Sequence, residues 1–283
     1  MGDRFKRYEA ATQLLLPRRT YTIIRLDGKA FHTFTRVMDK PFDETFAWVM
    51  DKVSNKLAAE IQGTVFGYTQ SDEISLLLQD FATIDTGAWF DGNVQKMTSI
   101  SAAMASVHLN DFKLSAARGG PAYFDSRVFT ISDPVEVANY FIWRQRDSVR
   151  NSILATAQAH FGPKRIHGVN TNDLVHMLDD EGVHWYEMPG RFTHGALTRK
   201  YSYYVDPIPP AREVALRTAW RTDPVEDGWT VDQLMPLIPP LHVGEDAERE
   251  DEQAYPGPAK GNAASDSEGG HAAQDRGDQI ENS

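Results

Sequence analysis

The order of hydrophobic patterns along residues 20–131 constrains the fold more than any other feature of this chain. Residues 20–26 are β-branched and apolar, which predicts a buried strand. Apolar side chains at spacings of three and four predict an amphipathic helix over residues 46–61. A strand, another strand, a helix and a final strand follow at 64–69, 74–78, 94–114 and 123–131. The order strand, helix, strand, strand, helix, strand predicts a ferredoxin-like fold of the α+β class.

Two aspartates stand at strand ends that this topology brings together. Asp27 closes the first strand in the run Ile-Ile-Arg-Leu-Asp-Gly-Lys, and Asp72 opens the third strand in the run Gln-Ser-Asp-Glu. In the ferredoxin-like fold the first and third strands are central, antiparallel neighbours. We therefore expect the two carboxylates to be adjacent in space, although either motif alone is also typical of an ordinary turn.

Two adjacent carboxylates predict a bound cation, because the carboxylates repel each other until a cation neutralises their charge. Magnesium is typically held by one or two carboxylates together with substrate phosphates, and a pair of ions can clamp the oxygens of a displacement reaction. The candidate metal ligands are Asp27, the Gly28 carbonyl and Asp72. Glu73 is expected on the other face of its strand, as either a catalytic or a packing charge.

Several side chains near these motifs are candidates for nucleotide binding. Lys40 and Lys96 are candidate point charges for phosphates, and Ser71 offers a hydroxyl and a backbone N–H. Phe31 and His32 follow the Asp-Gly loop, where they would meet a base. A core phenylalanine beside a surface histidine is the alternative interpretation of the last pair.

The second half of the chain predicts an extension of this core. Asp133-Pro134 is a typical helix start, and the helix is expected to reach about residue 161. A short helix at 172–178, a strand or hairpin across 182–204 and proline-rich segments follow. We predict a catalytic domain at 1–132, a helical and β extension packed on it at 133–243, and a disordered acidic tail at 244–283.

Composition narrows the class of protein. The net charge is −11, and the predicted tail contains 11 acidic residues against 3 basic ones, so most of that charge lies outside the predicted domains. The chain has no cysteine, which excludes disulfides and thiol chemistry and fits a reducing, cytoplasmic compartment. The charged N-terminus is unlike a signal peptide, and no apolar run reaches the length of a membrane span. Phosphate-loop and dinucleotide-binding fingerprints are absent from the sequence.

The predicted long helix contains a cluster of arginines in an otherwise acidic chain. It begins with the run Trp-Arg-Gln-Arg-Asp at 143–147 and continues to Arg150 and Asn151. Contact with RNA phosphates is one interpretation of this cluster. Ion pairing within the protein, with Asp147 or other acids, is the other.

Five motifs in order resemble one family. They are Ile-Ile-Arg-Leu-Asp-Gly-Lys-Ala-Phe-His, Lys-Pro-x-Asp, Tyr-x-Gln-Ser-Asp-Glu, Phe-Asp-x-Arg-Val and Trp-Arg-Gln-x-Asp, within residues 18–204. This set resembles the tRNA-histidine guanylyltransferases and their bacterial, archaeal and viral 3′-to-5′ polymerase-like relatives. The resemblance implies a polymerase-type palm, two Mg²⁺ ions, GTP and ATP as substrates, nucleotide addition to the 5′ end of tRNA, and a homo-tetramer.

The resemblance also implies roles for particular positions. It implies metal binding by Asp27, Gly28 and Asp72. The implied nucleotide site is Asp27, Gly28, Lys29, Ala30, Phe31, His32, Lys40, Ser71, Asp72 and Lys96. The implied tRNA contacts are Arg144, Gln145, Asp147, Arg150 and Asn151.

One departure from the family pattern keeps alternatives open. Eukaryotic members continue the last motif with Cys-His-Ile-Asn-Asn, whereas Val149 and Ser152 replace the His and the second Asn here. The run is more similar to the bacterial relatives, so template-directed repair of truncated tRNA 5′ ends is an alternative to addition to tRNA-His. A nucleotide cyclase or dinucleotide synthase on the same palm, and a non-catalytic RNA-binding protein, are further alternatives. The hairpin at Ser71 lacks the Gly-Gly motif of the cyclases.

Overall fold

A computed structural model of the chain describes residues 1–114, 120–205 and 215–241. The predicted acidic tail at 244–283 and the prolines at 207, 209 and 210 lie outside the described residues. Among the helices in the described ranges, none combines the length and the apolar character needed to cross a lipid bilayer.

Helices and strands alternate much as the hydrophobic patterns predict. The helices are α1 (Gly2–Ala10), α2 (Phe31–Phe34), α3 (Glu44–Glu60), α4 (Val94–Asp111), α5 (Pro134–Phe161), α6 (Thr171–Asp180), α7 (Gly190–Thr193) and α8 (Val231–Leu234). The strands are β1 (Tyr21–Gly28), β2 (Thr64–Gln70), β3 (Glu73–Leu78), β4 (Phe124–Ile131), β5 (Ala196–Val205) and β6 (Ala215–Pro224).

The strands form one antiparallel sheet in the order β4-β1-β3-β2-β5-β6. The first four strands have the predicted ferredoxin-like order, with β1 between β4 and β3. The last two extend the sheet, because β5 pairs with β2 from Phe66↔Arg199 to Thr69↔Ala196. The predicted fold class is confirmed, and the division into domains at residue 132 stays a prediction.

The sheet has a separate hydrophobic core on each face. Successive side chains of a strand point to opposite faces. Ile24 and Leu26 therefore pack against α3 and α4, whereas Tyr21 and Ile23 pack against α5. Because α5 covers the face that carries the odd-numbered residues of β1, Asp27 lies on the side of the sheet that faces α5.

Two helix starts are capped by aspartates, and the one at Asp133 agrees with the predicted helix start. The Asp43 carboxylate accepts a hydrogen bond from the Phe46 N–H at 2.8 Å, and Asp133 accepts one from the Val135 N–H at 2.7 Å. Strand β5, in contrast, begins later than predicted. Residues 185–187 and 190–193 form helical turns, and Gly195 has a φ of +80° immediately before the strand. Pro189 also lacks the N–H that a strand ladder needs.

Gly195 is predicted to be essential for joining β5 to the sheet. A Cβ there would lie 2.7 Å from the Thr69 carbonyl and from the Tyr68 ring, in a left-handed conformation. We expect Gly195→Ala to lower the free energy of unfolding by about 1–3 kcal/mol more than Gly182→Ala, which has a φ of +76° but open space around it. Urea denaturation of both variants measures the difference, and equal losses would contradict the prediction.

Candidate active site

The structure brings Asp27 and Asp72 to the border of one cavity. Asp27 is opposite Glu73 in the register of β1 and β3, and Asp72 lies in the turn before β3. Ser71 turns the chain at this point, with a φ of +44°. Both aspartates border a cavity of about 370 Å³. The convergence that the strand order predicts is therefore present in the fold.

The electrostatics of the pair favour a bound cation. Burial, and next the negative charge of Asp27, raise the pKa of Asp72 to about 6. The Ser71 hydroxyl, which donates to Asp72 at 3.1 Å, opposes this shift only in part. In the described ranges no three His, Asp or Glu side chains surround one metal position. Two carboxylates and the Gly28 carbonyl nevertheless fit Mg²⁺, which keeps several waters and takes phosphate oxygens.

Packing requires a glycine at position 28, and so does the proposed approach of the Gly28 carbonyl to a metal ion. A Cβ at this position would lie 2.3 Å from the Phe31 ring. Phe31 is buried among Phe34, Phe46 and Phe124, with ring centroids 5.0–6.0 Å apart. The structure thus agrees with the interpretation of Phe31 as a core residue that anchors the loop, and His32 remains exposed beside the cavity.

Most of the predicted nucleotide-binding residues line this cavity, and Thr35 is a member that sequence reasoning missed. The predicted members are Asp27, Gly28, Ala30, Phe31, His32, Ser71 and Asp72. Lys29 is directed to the residue before β4 instead, since its backbone N–H donates to the Tyr123 carbonyl at 2.8 Å and its Nζ lies 6.0 Å from the Tyr123 ring centroid.

A second cavity, of about 150 Å³, adjoins the first and shares Thr35 and Ser71 with it. Lys40 belongs to this second cavity, and its Nζ donates to the Thr35 carbonyl at 3.0 Å. The Phe42 and Phe192 rings stack there, 4.9 Å apart and nearly parallel. Sequence reasoning missed Phe192 because α7 is a single turn with no periodic pattern.

Lys96 is a second predicted nucleotide-binding residue, after Lys29, that lines neither cavity. It lies in the first turn of α4, where its neighbour Met97 contacts a small pocket bordered by Thr22 and Leu78. Those two residues lie at the opposite ends of β1 and β3 from Asp27 and Asp72. A phosphate-binding role for Lys96 stays a prediction without support from this chain's own geometry.

Glu73 and Arg144 form a buried ion pair next to the aspartates. Arg144 donates to the two carboxylate oxygens of Glu73 at 2.7 and 2.8 Å, and the two residues are 7% and 5% exposed. Arg25 adds a second cation, 3.6 Å from Glu73. Burial raises the pKa of Glu73, and Arg144 opposes that shift. Glu73 therefore fastens α5 to β3, and a catalytic role for it stays a prediction.

The other predicted tRNA contacts divide into buried and exposed residues. Gln145 is buried and bonds to the backbone of Asp227 and Trp229. Asp147 accepts from Arg144 at 2.9 Å and also pairs with Arg150. Arg150 and Asn151 are exposed. The structure thus gives Arg144 and Gln145 partners within the protein, and leaves RNA contact as a proposal for the exposed members of the helix.

Asp125 is a further acidic residue at the site. It lies opposite Asp27 in the register of β4 and β1, so Asp125, Asp27 and Glu73 form a row across three strands. Residues directly opposite each other have Cβ atoms about 5 Å apart. Asp125 is the aspartate of the motif Phe-Asp-x-Arg-Val, so the sequence contained it. Only the strand register places its carboxylate beside Asp27.

The fold and the site together define a class of protein. A ferredoxin-like sheet that presents two aspartates at the adjoining ends of its central strands, above a cavity for a ligand, is the arrangement of a palm-type nucleotidyltransferase. Solved structures and known relatives support this class and narrow it to a family.

The chain belongs to the tRNAHis guanylyltransferase family, whose family model matches residues 2–132. It is similar to a bacterial tRNA(His) guanylyltransferase-like protein in complex with ATP, with a TM-score of 0.74 and 33% identity over 84% of this chain and 98% of that one. A bacterial structure of the same description in complex with GTP has a TM-score of 0.62 and 35% identity, and covers 78% and 90% of the two chains. An uncharacterized protein of Acanthamoeba polyphaga mimivirus is 31% identical over 237 residues, which are 74% of this chain and 80% of the viral protein.

The raised pKa of Asp72 predicts a stability gain when its charge is removed. A carboxyl whose pKa rises from 3.8 to about 6 on folding destabilises the fold progressively as the pH rises from about 4 through 6. We expect Asp72→Asn to raise the free energy of unfolding by about 1–2 kcal/mol at pH 7.5, after allowance for solvent screening, and by much less at pH 4.

Denaturant titrations at both pH values measure this effect. Asp85→Asn, which neutralises an exposed carboxylate, is the control and should change stability little at either pH. A gain for Asp72→Asn that is equal at pH 4 and pH 7.5 would contradict the assigned cause.

The buried ion pair predicts a strongly non-additive double mutant. Arg144→Met leaves the Glu73 carboxylate buried with only the more distant Arg25, and we expect it to lower the free energy of unfolding by about 3–5 kcal/mol. Glu73→Gln in the same chain should recover at least half of that loss, because it removes the uncompensated charge. A double-mutant cycle by urea denaturation measures the coupling, and additive losses would show that the pair is not the cause.

Proposed function

We propose that this protein is a Mg²⁺-dependent nucleotidyltransferase that adds a nucleotide, preferably GTP, to the 5′ end of tRNA in the 3′-to-5′ direction. The observation that carries the proposal is the convergence of Asp27 and Asp72 on one cavity, with a second cavity sharing Ser71 beside it. Family membership and the ATP- and GTP-bound bacterial structures support nucleoside triphosphates as ligands.

The two cavities would bind different parts of the nucleotide and its metal. Asp27, Asp72 and the Gly28 carbonyl would hold magnesium, which when bound supplies charge for the phosphates and for the reacting oxygens. Ser71 and Lys40 would contact the triphosphate at the junction of the cavities. The ring of Phe42, held parallel to Phe192, offers an apolar surface for the base in the second cavity.

The chemistry is a displacement at phosphorus. The 3′ hydroxyl of the incoming nucleotide attacks the 5′ α-phosphorus of a tRNA that carries an adenylyl group or a triphosphate. A phosphorus–oxygen bond forms, the bond to AMP or pyrophosphate breaks, and the hydroxyl proton passes to solvent. Asp27 and Asp72 would hold the metal at the reacting groups, and the β1–β3 pairing keeps these two residues in place.

Template-directed repair of truncated tRNA 5′ ends is the second candidate function. Val149, at the position of the eukaryotic histidine, packs against the core between α5 and α6. Ser152, at the position of the second asparagine, accepts a hydrogen bond from the Trp185 indole at 3.1 Å. Val149 serves packing, and Ser152 lines the second cavity without offering an amide, so neither position carries the polar group of the eukaryotic members, which favours a substrate other than tRNA-His alone.

We expect labelled GTP to be incorporated into 5′-activated tRNA by the wild-type protein only in the presence of Mg²⁺. Asp27→Ala and Asp72→Ala should each lower incorporation by at least about 10³-fold, since each removes a metal ligand. Thin-layer separation of the labelled products measures the loss, and Asp85→Ala is the control. Wild-type activity in either site variant would refute the assignment.

The two candidate functions differ in their RNA substrate. Incorporation is compared for tRNA-His lacking its extra guanosine and for a series of other tRNAs truncated at the 5′ end. Addition to truncated tRNAs that follows the base opposite the gap identifies the repair function, and addition of guanosine to tRNA-His alone identifies the guanylyltransferase. The implied homo-tetramer and cytoplasmic location stay predictions.

A further inference from the structure

One face of α5 combines an exposed indole with two exposed guanidinium groups. Trp143, Arg146 and Arg150 are spaced three and four residues apart, so they share one side of the helix. All three are exposed, and the Trp143 side chain is 52% accessible. We call these three residues the α5 stripe.

Neighbouring side chains of α5 hold the Trp143 indole in a fixed position. The Arg144 guanidinium carbon lies 4.3 Å from the Trp143 ring centroid, and the Tyr140 ring contacts it at 5.9 Å. Arg144 is itself anchored by the bidentate ion pair with Glu73. A ring that is fixed on one side and open on the other loses little conformational entropy when a planar ligand stacks on it.

The charges around the stripe are positive. Within the described ranges Arg146 has no ion-pair partner. Arg150 shares Asp147 with Arg144, so that single carboxylate faces two guanidinium groups. An aromatic surface beside the unpaired Arg146 and an Arg150 that shares its carboxylate is complementary to RNA, in which flat bases alternate with phosphates.

The stripe also lies next to the catalytic carboxylates. Arg144, beneath Trp143, contacts Glu73, and Glu73 is opposite Asp27 in the sheet register. Tyr140, which also contacts the indole, packs on Phe129 of β4, the edge strand that carries Asp125. An RNA end placed at Asp27 would therefore meet α5 at this face.

We infer that the α5 stripe binds the RNA substrate: the Trp143 indole stacks on a base at the 5′ end, and Arg146 and Arg150 bind the neighbouring phosphates. The inference rests on the proposed function, because it assigns a surface to the RNA substrate of that site. It also moves the RNA contact within the helix from the buried Arg144 and Gln145 to the outward-facing residues.

The chain offers a matched control on the opposite face of the sheet. Trp48 of α3 is also 52% exposed, and Lys52 lies 5.4 Å from its ring centroid. Lys52 and Lys56 follow it at intervals of four residues, so they lie on the same side of α3. The variants Trp48→Ala and Lys52→Gln/Lys56→Gln therefore remove the same chemistry from the layer that packs on the other side of β1.

The test measures binding of 3′-labelled, 5′-phosphorylated tRNA by fluorescence anisotropy at several KCl concentrations. We expect Trp143→Ala to weaken tRNA affinity about tenfold or more, and Trp143→Phe, which keeps a ring, to stay within about threefold of wild type. Arg146→Gln/Arg150→Gln should lower the slope of log affinity against log salt by about 1–2. The α3 control variants should remain within about twofold of wild type.

GTP binding and incorporation by the same proteins separate the possible failures. Unchanged GTP affinity with weakened tRNA binding supports the inference. Wild-type tRNA affinity in both α5 variants overturns the inference, and so does an equal loss of affinity in the α3 controls. The proposed function still stands in either case if the wild-type protein incorporates GTP. A wild type that neither binds tRNA nor incorporates GTP refutes the proposed function and the inference with it. Loss of GTP affinity in Trp143→Ala would assign the indole to the nucleotide and overturn the RNA role.

Discussion

The bidentate ion pair between Glu73 and Arg144 is the interaction on which the rest of the site depends. It joins the beginning of β3 to the middle of α5, inside the protein, where an unpaired charge would be strongly destabilising. The Asp72 turn lies on one side of this joint, and the surface of α5 with Trp143 lies on the other. A single buried contact thus sets the position of the catalytic turn relative to the helix that we assign to RNA.

The carboxylates beside this ion pair form a site whose charge repulsion destabilises the folded state. Asp125, Asp27 and Glu73 lie in a row, and burial together with Asp27 raises the pKa of Asp72 to about 6. Glu73 is neutralised by Arg144, and Asp125 lies 3.7 Å from Arg127, which leaves the repulsion between Asp27 and Asp72. The remaining repulsion disfavours the folded state until a cation binds, so stability and function are opposed at Asp72, as is common at active sites.

The fold and the carboxylate pair could be predicted because both follow from local patterns. Strand and helix periodicities determine the order of elements, and that order in a ferredoxin-like sheet places the end of β1 beside the start of β3. The contacts of Lys96 and Arg144 could not be predicted in the same way. A lysine in a first helical turn or an arginine in a helix has the same sequence signature whether it faces a ligand, solvent or a buried acid.

The sequence by itself determined the sheet order, the pairing of Asp27 with the Asp72 turn, and the family to which the motifs belong. Only the tertiary structure decided that Glu73 and Arg144 pair inside, that Phe31 anchors the loop, and that Phe42 and Phe192 share a second cavity. The physical reason is that these contacts join elements far apart in the chain. Which face of α5 is buried depends on how the helix rotates against the sheet, and that rotation leaves Trp143, Arg146 and Arg150 exposed.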